Sequence, residues 1–216
     1  MPESYYILMA DIVNSGGQNA VSLMEDFKYL VNLVNTAYRE LILSPLTITL
    51  GDEFQGVLHS LKNAVEVIVA MEECIVSENM GFKLRYVLNY GEIETPINLE
   101  RSYGMLGNGL TTARELLGEL KEDKDKRFLI KMEENQLLVK QLNLAFLQYQ
   151  YFVDEWKAKD YNIITEFLLN KDYKEVAQLF DKNPSSMWRK KRSLNIEVYL
   201  SSKELVSLLC PKQQRI

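Results

Sequence analysis

At 216 residues with 47% hydrophobic content, the chain is long enough for one large domain, or a domain with an appendage, and carries enough apolar mass for a core. Five prolines, 10 glycines and no low-complexity tract or repeat exclude disorder and solenoids, and a net charge of −5 excludes a chain that is polycationic throughout. Cys74, Cys210 and the single His59 cannot build a zinc site.

Residues 5–13 open the chain with an apolar run that reads as a buried central strand, and Asp11 stands near its end. The small and amide residues of 14–19 then form a loop before a helix, so that Asn14, Ser15 and the backbone N–H groups that follow are candidate phosphate contacts. That loop has neither Walker nor dinucleotide-binding spacing. The spacing of Leu23, Phe27, Leu30, Val34, Tyr38 and Leu41 predicts one amphipathic helix from Ala20 to about Leu43, ended by Pro45.

Residues 47–58 read as a hairpin that turns at Gly51-Asp52, where glycine tolerates a positive φ. Asp52 and Glu53 are adjacent at this tip, and neighbouring carboxylates need solvent or a cation to compensate them. An antiparallel pairing of the hairpin's second strand with the first strand brings Asp11 to Asp52. Two carboxylates at a sheet rim suit Mg²⁺ or Mn²⁺ held together with phosphates.

A second amphipathic helix follows through Leu61, Val65, Ile68, Met71 and Ile75. A half-buried strand over 82–90 comes next, with Lys83 and Arg85 on its other side, and Gly91-Glu92-Ile93 then leaves the sheet. A glycine-rich connection, 103–109, leads into a third helix with Leu110, Ala113, Leu117 and Leu120 inward and Arg114 beside that face. Phe128-Leu129-Ile130 forms a short last strand. This order predicts an α+β fold, a ferredoxin-like βαββαβ two-layer sandwich with its helices on one sheet face, over residues 1–132. Residues 133–216 are helical in pattern and form a second domain. Within it, 173–189 has helix-turn-helix spacing, with Ala177 at the crossing, Asn183 or Ser185 as a cap, and Asp181 where glycine is usual.

Residues 182–192 hold five basic residues and no acid, so the net charge of −5 leaves −10 on the rest of the chain. On a recognition helix, Arg189, Lys190 and Arg192 would meet DNA phosphates while Ser185, Ser186 and Trp188 face bases; the alternative is a solvated face that neutralises an acidic body. No segment reaches about 18 consecutive apolar residues, and the start lacks a basic region ahead of its apolar run, so a cytoplasmic protein without a membrane partner is expected.

The segments A-D-I-V-N-S, T-L-G-D-E-F-Q-G-V, R-Y-V-L-N-Y-G-E-I-E-T and G-N-G-L-T-T-A-R-E-L-L, in this order, resemble the bacterial SatD family through most of the chain. They more distantly resemble class III nucleotidyl cyclases and diguanylate cyclases. That resemblance implies a nucleotide partner, metal binding by Asp11 and Asp52, and a homodimer in which the acids of one copy face the Arg114 helix of the other. Arg114 is then a candidate catalytic and phosphate-binding residue. Ile48 stands where purine cyclases place a base-reading lysine, Leu110 where they carry an asparagine, and Leu50 where the diguanylate motif begins with glycine. Retained metal acids without base readers imply phosphate and metal binding, and together with the basic helix-turn-helix they give the expected function: a nucleotide- and metal-sensing domain coupled to a DNA-binding regulator. A divergent nucleotidyltransferase and a metal-free interaction module remain the alternatives.

Overall fold

The computed structural model describes residues 3–15, 20–169 and 171–210. Its centre is a five-stranded sheet in the order β2-β3-β1-β4-β5. Strand β1 (Glu3–Ile12) lies in the middle, antiparallel to both β3 (Glu53–Leu58) and β4 (Leu84–Ile93). The edges are β2 (Ile42–Ile48), antiparallel to β3, and β5 (Phe128–Lys131), parallel to β4.

Both faces of the sheet are covered, which is why β1 reads as an unbroken apolar run rather than an alternating one. On one face Leu8, Ala10, Ile12, Phe54, Leu84 and Tyr86 pack against α1 (Ala20–Ala37) and α2 (Leu61–Ser77). On the other, Ile7, Met9, Val57 and Val87 pack against Leu110, Ala113, Leu117 and Leu120 of α3 (Asn108–Glu122). The expectation of helices on one face is corrected here: α3 crosses to the opposite side and adds a third layer. Glycines make its start possible, because a Cβ on Gly91 would sit 2.7 Å from Gly109 Cα and one on Gly107 2.5 Å from the Glu92 carbonyl oxygen.

Two boundaries differ from the sequence reading. Helix α1 ends at Ala37, and a 3-10 turn over Arg39–Leu41 leads into β2, so Pro45 belongs to a strand. Ile42, Ser44 and Leu46 are the buried positions of that edge strand, whose register against β3 shifts on either side of Ser44, and a missing N–H is tolerated there. Strand β4 also continues to Ile93, because Gly91, Glu92 and Ile93 stay paired with Tyr5, Ser4 and Glu3.

The remaining helices are α4 (Gln136–Glu155), α5 (Tyr161–Leu168), α6 (Tyr173–Leu179), α7 (Pro184–Ser193) and α8 (Ile196–Leu208). Their buried side chains, including Phe146, Tyr149, Ile164, Phe167, Ile196 and Tyr199, belong to the same apolar cluster as the α1–α2 face. Arg127 ties these parts together: its guanidinium spans Glu72 of α2 (2.9 and 3.2 Å), Asp154 of α4 (3.0 Å to Nε) and the Leu84 carbonyl of β4 (2.5 Å). Among the described residues no helix is long and apolar enough to cross a membrane.

Candidate functional site

The end of β1 sets the site. In register, Asp11 lies between Glu53 of β3 and Arg85 of β4. Period-two alternation puts Asp11 on the same face as Ile7 and Met9, beneath α3. The last turn of α3 delivers Lys121 to this point, with Nζ 2.7 Å from Glu53 Oε1 and 3.4 Å from Asp11 Oδ2. Arg85 Nη1 donates to the same Asp11 oxygen at 2.9 Å. The compensating cation that adjacent carboxylates require is therefore built in for Glu53 as a lysine.

Gly51 turns the hairpin at φ +68 and carries Asp52 to the end of β1, where the Ile12 N–H donates to the Asp52 carbonyl at 3.0 Å. Ser15 Oγ donates to Asp52 Oδ2 at 2.6 Å. Asp11 and Asp52 thus meet at one rim, as the hairpin pairing predicted. Asp11 is only 2% exposed, and its Oδ1 has no hydrogen-bond partner. Burial pushes its carboxyl above the usual carboxylate range; Arg85 and Lys121 pull it back in part, and the charge of Asp52 adds to the rise. On Lys121 burial acts downward, but its contacts with Glu53 and Asp11 outweigh it and raise the ammonium pKa.

Among the described residues no group of three or more His, Cys, Asp or Glu side chains forms a metal cage. The donor set nevertheless fits one hard cation that also takes ligands from phosphate. Asp11 Oδ1 is a buried acceptor without a donor, and Asp52 is near enough for its charge to act on the Asp11 carboxyl. Two ions do not fit equally well, because the second oxygen of Asp11 is already engaged by two cationic side chains.

The other candidates are distributed differently. Asn14 is exposed at φ 56, and Gly16 to Asn19 of the proposed phosphate loop lie outside the described residues. Arg114 is not joined to the acids within one chain. It is exposed on α3, with Nη2 3.4 Å from Gln55 Oε1, and lines a groove of about 510 Å³ with Tyr103, Leu106 and Leu110. Sequence reasoning missed Arg85 and Lys121. The signal for Arg85 was its place on the outward alternation of β4, whereas Lys121 required knowing which face α3 covers.

In the C-terminal helices, α6 begins in a capping box of Asp172 and Glu175, and α7 begins at Asn183, whose side chain accepts from the Ser185 N–H at 2.9 Å. Between them Asp181 takes φ 49, the left-handed conformation for which a glycine is usual, while Ala177 and Met187 are buried where the helices meet. Ser185, Ser186, Trp188, Arg189 and Arg192 are exposed. Arg192 lies 5.1 Å over the Trp188 ring. Lys190 is drawn away from this face by Asp160 at 2.6 Å, and Lys191 by Glu197 at 2.5 Å.

No curated protein matches the chain in sequence. Among solved structures, a bacterial light-regulated adenylyl cyclase aligns at 15% identity over 60% of this chain and 76% of its own, with a TM-score of 0.43. The guanylyl cyclase domain of the RhoGC fusion protein from the aquatic fungus Blastocladiella emersonii aligns at 17% identity over 54% and 74%, TM-score 0.42. The guanylyl cyclase Cya2 aligns at 14% over 55% and 71%, TM-score 0.40. The family model described as SatD family matches residues 5–209, nearly the whole length, and the chain belongs to the SatD family.

Proposed function

We propose that this protein senses a nucleotide through the Asp11–Asp52 rim, with one Mg²⁺ or Mn²⁺, and reports through α6 and α7 to DNA. The observation that carries the first half is the Asp11 carboxylate, buried at a strand end with one oxygen unpartnered beside a second carboxylate. A buried acceptor without a donor is costly, and a hard cation relieves it. When bound, the ion would neutralise the acids and link them to phosphate oxygens. Arg85 fixes the orientation of Asp11, Ser15 holds Asp52, and Lys121 adds a positive charge that favours anions at the rim.

Binding is favoured over turnover for two reasons. One oxygen of Asp11 is saturated by Arg85 and Lys121, and Leu110 is buried in the α3-side core where the resemblance to cyclases calls for a polar residue. For the second half, the support is the left-handed turn at Asp181, the buried Ala177 and Met187, and the exposed Arg189 and Arg192, for which the described residues provide no acidic partner.

The test is Mn²⁺ binding followed by electron paramagnetic resonance, with inorganic triphosphate and then nucleoside triphosphates as the phosphate ligand. The wild type should bind, and Asp11→Asn and Asp52→Asn should each lose most of the affinity while keeping the fold. Equal binding by both variants and the wild type would refute the site. No binding by the wild type would leave the rim a charge cluster of a metal-free interaction module.

A further inference from the structure

We propose that the outward face of α4 is a two-fold interface through which two copies of this chain pair, α4 against α4 in antiparallel orientation. The inward face of that helix is spent on the core through Val139, Leu142, Ala145, Phe146, Tyr149 and Val153. Its outward face should then be polar throughout, but among Gln136, Lys140, Gln141, Gln148 and Glu155 it carries four large apolar side chains. Leu137 is 68% exposed, Leu144 54%, Leu147 43% and Tyr151 64%. Leu137, Leu144 and Tyr151 are seven residues apart, two turns each, so they form one line along the helix, with Leu147 beside it.

The stripe is complementary to itself. A two-fold axis through Leu144 sets Leu144 against its own copy, Leu137 against Tyr151 of the second copy, and Gln141 against Leu147. Lys140 then faces Gln148. Lys140, the one charge between Gln136 and Tyr151, then meets no like charge, whereas a parallel pairing would set Lys140 against Lys140; at the rim Glu155 falls opposite Glu133, just outside the partner's helix. The neighbouring β5 edge offers no rival route by strand addition, because the Asn143 side chain accepts from the Ile130 N–H and donates to its carbonyl, both at 2.9 Å.

Area sets the strength. The four side chains together expose roughly 400 Å² along one side of the helix, at the scale where an apolar surface on a monomer marks a contact site. Since interfaces are about 57–65% apolar, this implies roughly 650 Å² buried per copy, somewhat below the ~800 Å² of a standard interface. A reversible dimer is therefore expected, not an obligate one. The pairing is different from one in which Arg114 faces the partner's acids, because Arg114 lies on α3, against the opposite sheet face from the cluster to which α4 belongs. Helix α4 packs on α8, and α7 on α8, so the two C-terminal units would be joined.

The experiment is sedimentation velocity of the full chain over a concentration series, with Leu144→Glu and, as a control on the α3 side, Leu106→Glu. Circular dichroism confirms that each variant is folded. The wild type should shift from monomer to dimer with concentration, Leu144→Glu should remain monomeric, and Leu106→Glu should behave as wild type. Leu144→Cys should in addition form an intermolecular disulfide under mild oxidation that the wild type, with Cys74 half-buried and Cys210 buried, does not form, since residue 144 meets itself at the axis. A wild type that stays monomeric at its highest soluble concentration overturns the proposal. So do a Leu144→Glu dimer, a dimer dissolved by Leu106→Glu, or a Leu144→Cys chain that does not cross-link.

Discussion

Lys121 offers a direct perturbation of the rim, because it places a full positive charge where the proposed ion would bind. Its Nζ is 3.4 Å from Asp11 Oδ2, and the unpartnered Oδ1 is the other oxygen of the same carboxylate. At a separation of about 5 Å, one carboxylate across, the repulsion between a single and a double charge is about 1.7 kcal/mol even with the dielectric constant of water. The side chain of Lys121 is 36% exposed, so the water value is the appropriate floor. Lys121→Met keeps the aliphatic packing and removes the charge, and should strengthen Mn²⁺ binding by at least about tenfold at low salt. Lys126→Met is the control: it removes the same charge from a side chain paired with Asp123. Calorimetric titration of Mn²⁺ into the three proteins decides the matter. Unchanged or weaker binding in Lys121→Met, or an equal gain in Lys126→Met, would refute the placement of the ion.

Other expectations follow from the same contacts. Arg127→Met leaves Glu72 buried without its bidentate partner and should cost about 3–5 kcal/mol, read as a loss of C-terminal docking and a Tm lowered by about 10 °C; a loss under about 1 kcal/mol would mean that the network is not coupled to folding. Burial alone would raise the Asp154 carboxyl, but Arg127 and Lys83 outweigh it and hold it below the usual range, so its contribution is present above an unfolded pKa near 4 and is lost as pH falls through the lower folded value. Asp154→Asn should flatten urea stability against pH below about 4; Asp11, with its raised pKa, acts in the opposite sense as pH rises, so the comparison of variant with wild type isolates Asp154. If α7 contacts DNA phosphates, replacing Arg189 and Arg192 by alanine should reduce the slope of log affinity against log salt by up to about two units, while Ser186→Ala should alter sequence preference with little change in slope. Fluorescence anisotropy on duplexes selected from random sequence measures both, and an unaltered slope would remove DNA from the account.

What the sequence made legible follows the local physics of each segment. Asp11 and Asp52 could be brought together on paper because a hairpin turn at Gly51 and an apolar central strand leave one simple pairing, and the observed register is that pairing. The end of α1 was misplaced because Tyr38 and Leu41 continue the helical period by coincidence, while the chain from Ile42 onward is held by its pairing with Leu58 and Val57 of β3. The side taken by α3 was not legible. Its apolar stripe fits either sheet face, and the choice rests on close backbone approaches at Gly91, Gly107 and Gly109 that no periodicity reveals. With that helix misplaced, Lys121 had no reason to meet Asp11, and the salt bridges that set the electrostatics of the site went unseen. In the C-terminal helices Asp181 reads as a departure from a glycine turn, yet it adopts the backbone conformation that the glycine would take.

The central claim is that the rim takes one ion with a nucleotide and does not turn it over. Equilibrium dialysis with Mn²⁺ and a saturating nucleoside triphosphate, with pyrophosphate assayed in the same samples, measures both parts together. The account predicts one Mn²⁺ per chain, dependent on Asp11 and Asp52, with no pyrophosphate above the level of the Asp11→Asn protein. Two ions per chain, or pyrophosphate released by the wild type and not by that variant, would contradict it and make the protein a nucleotidyltransferase.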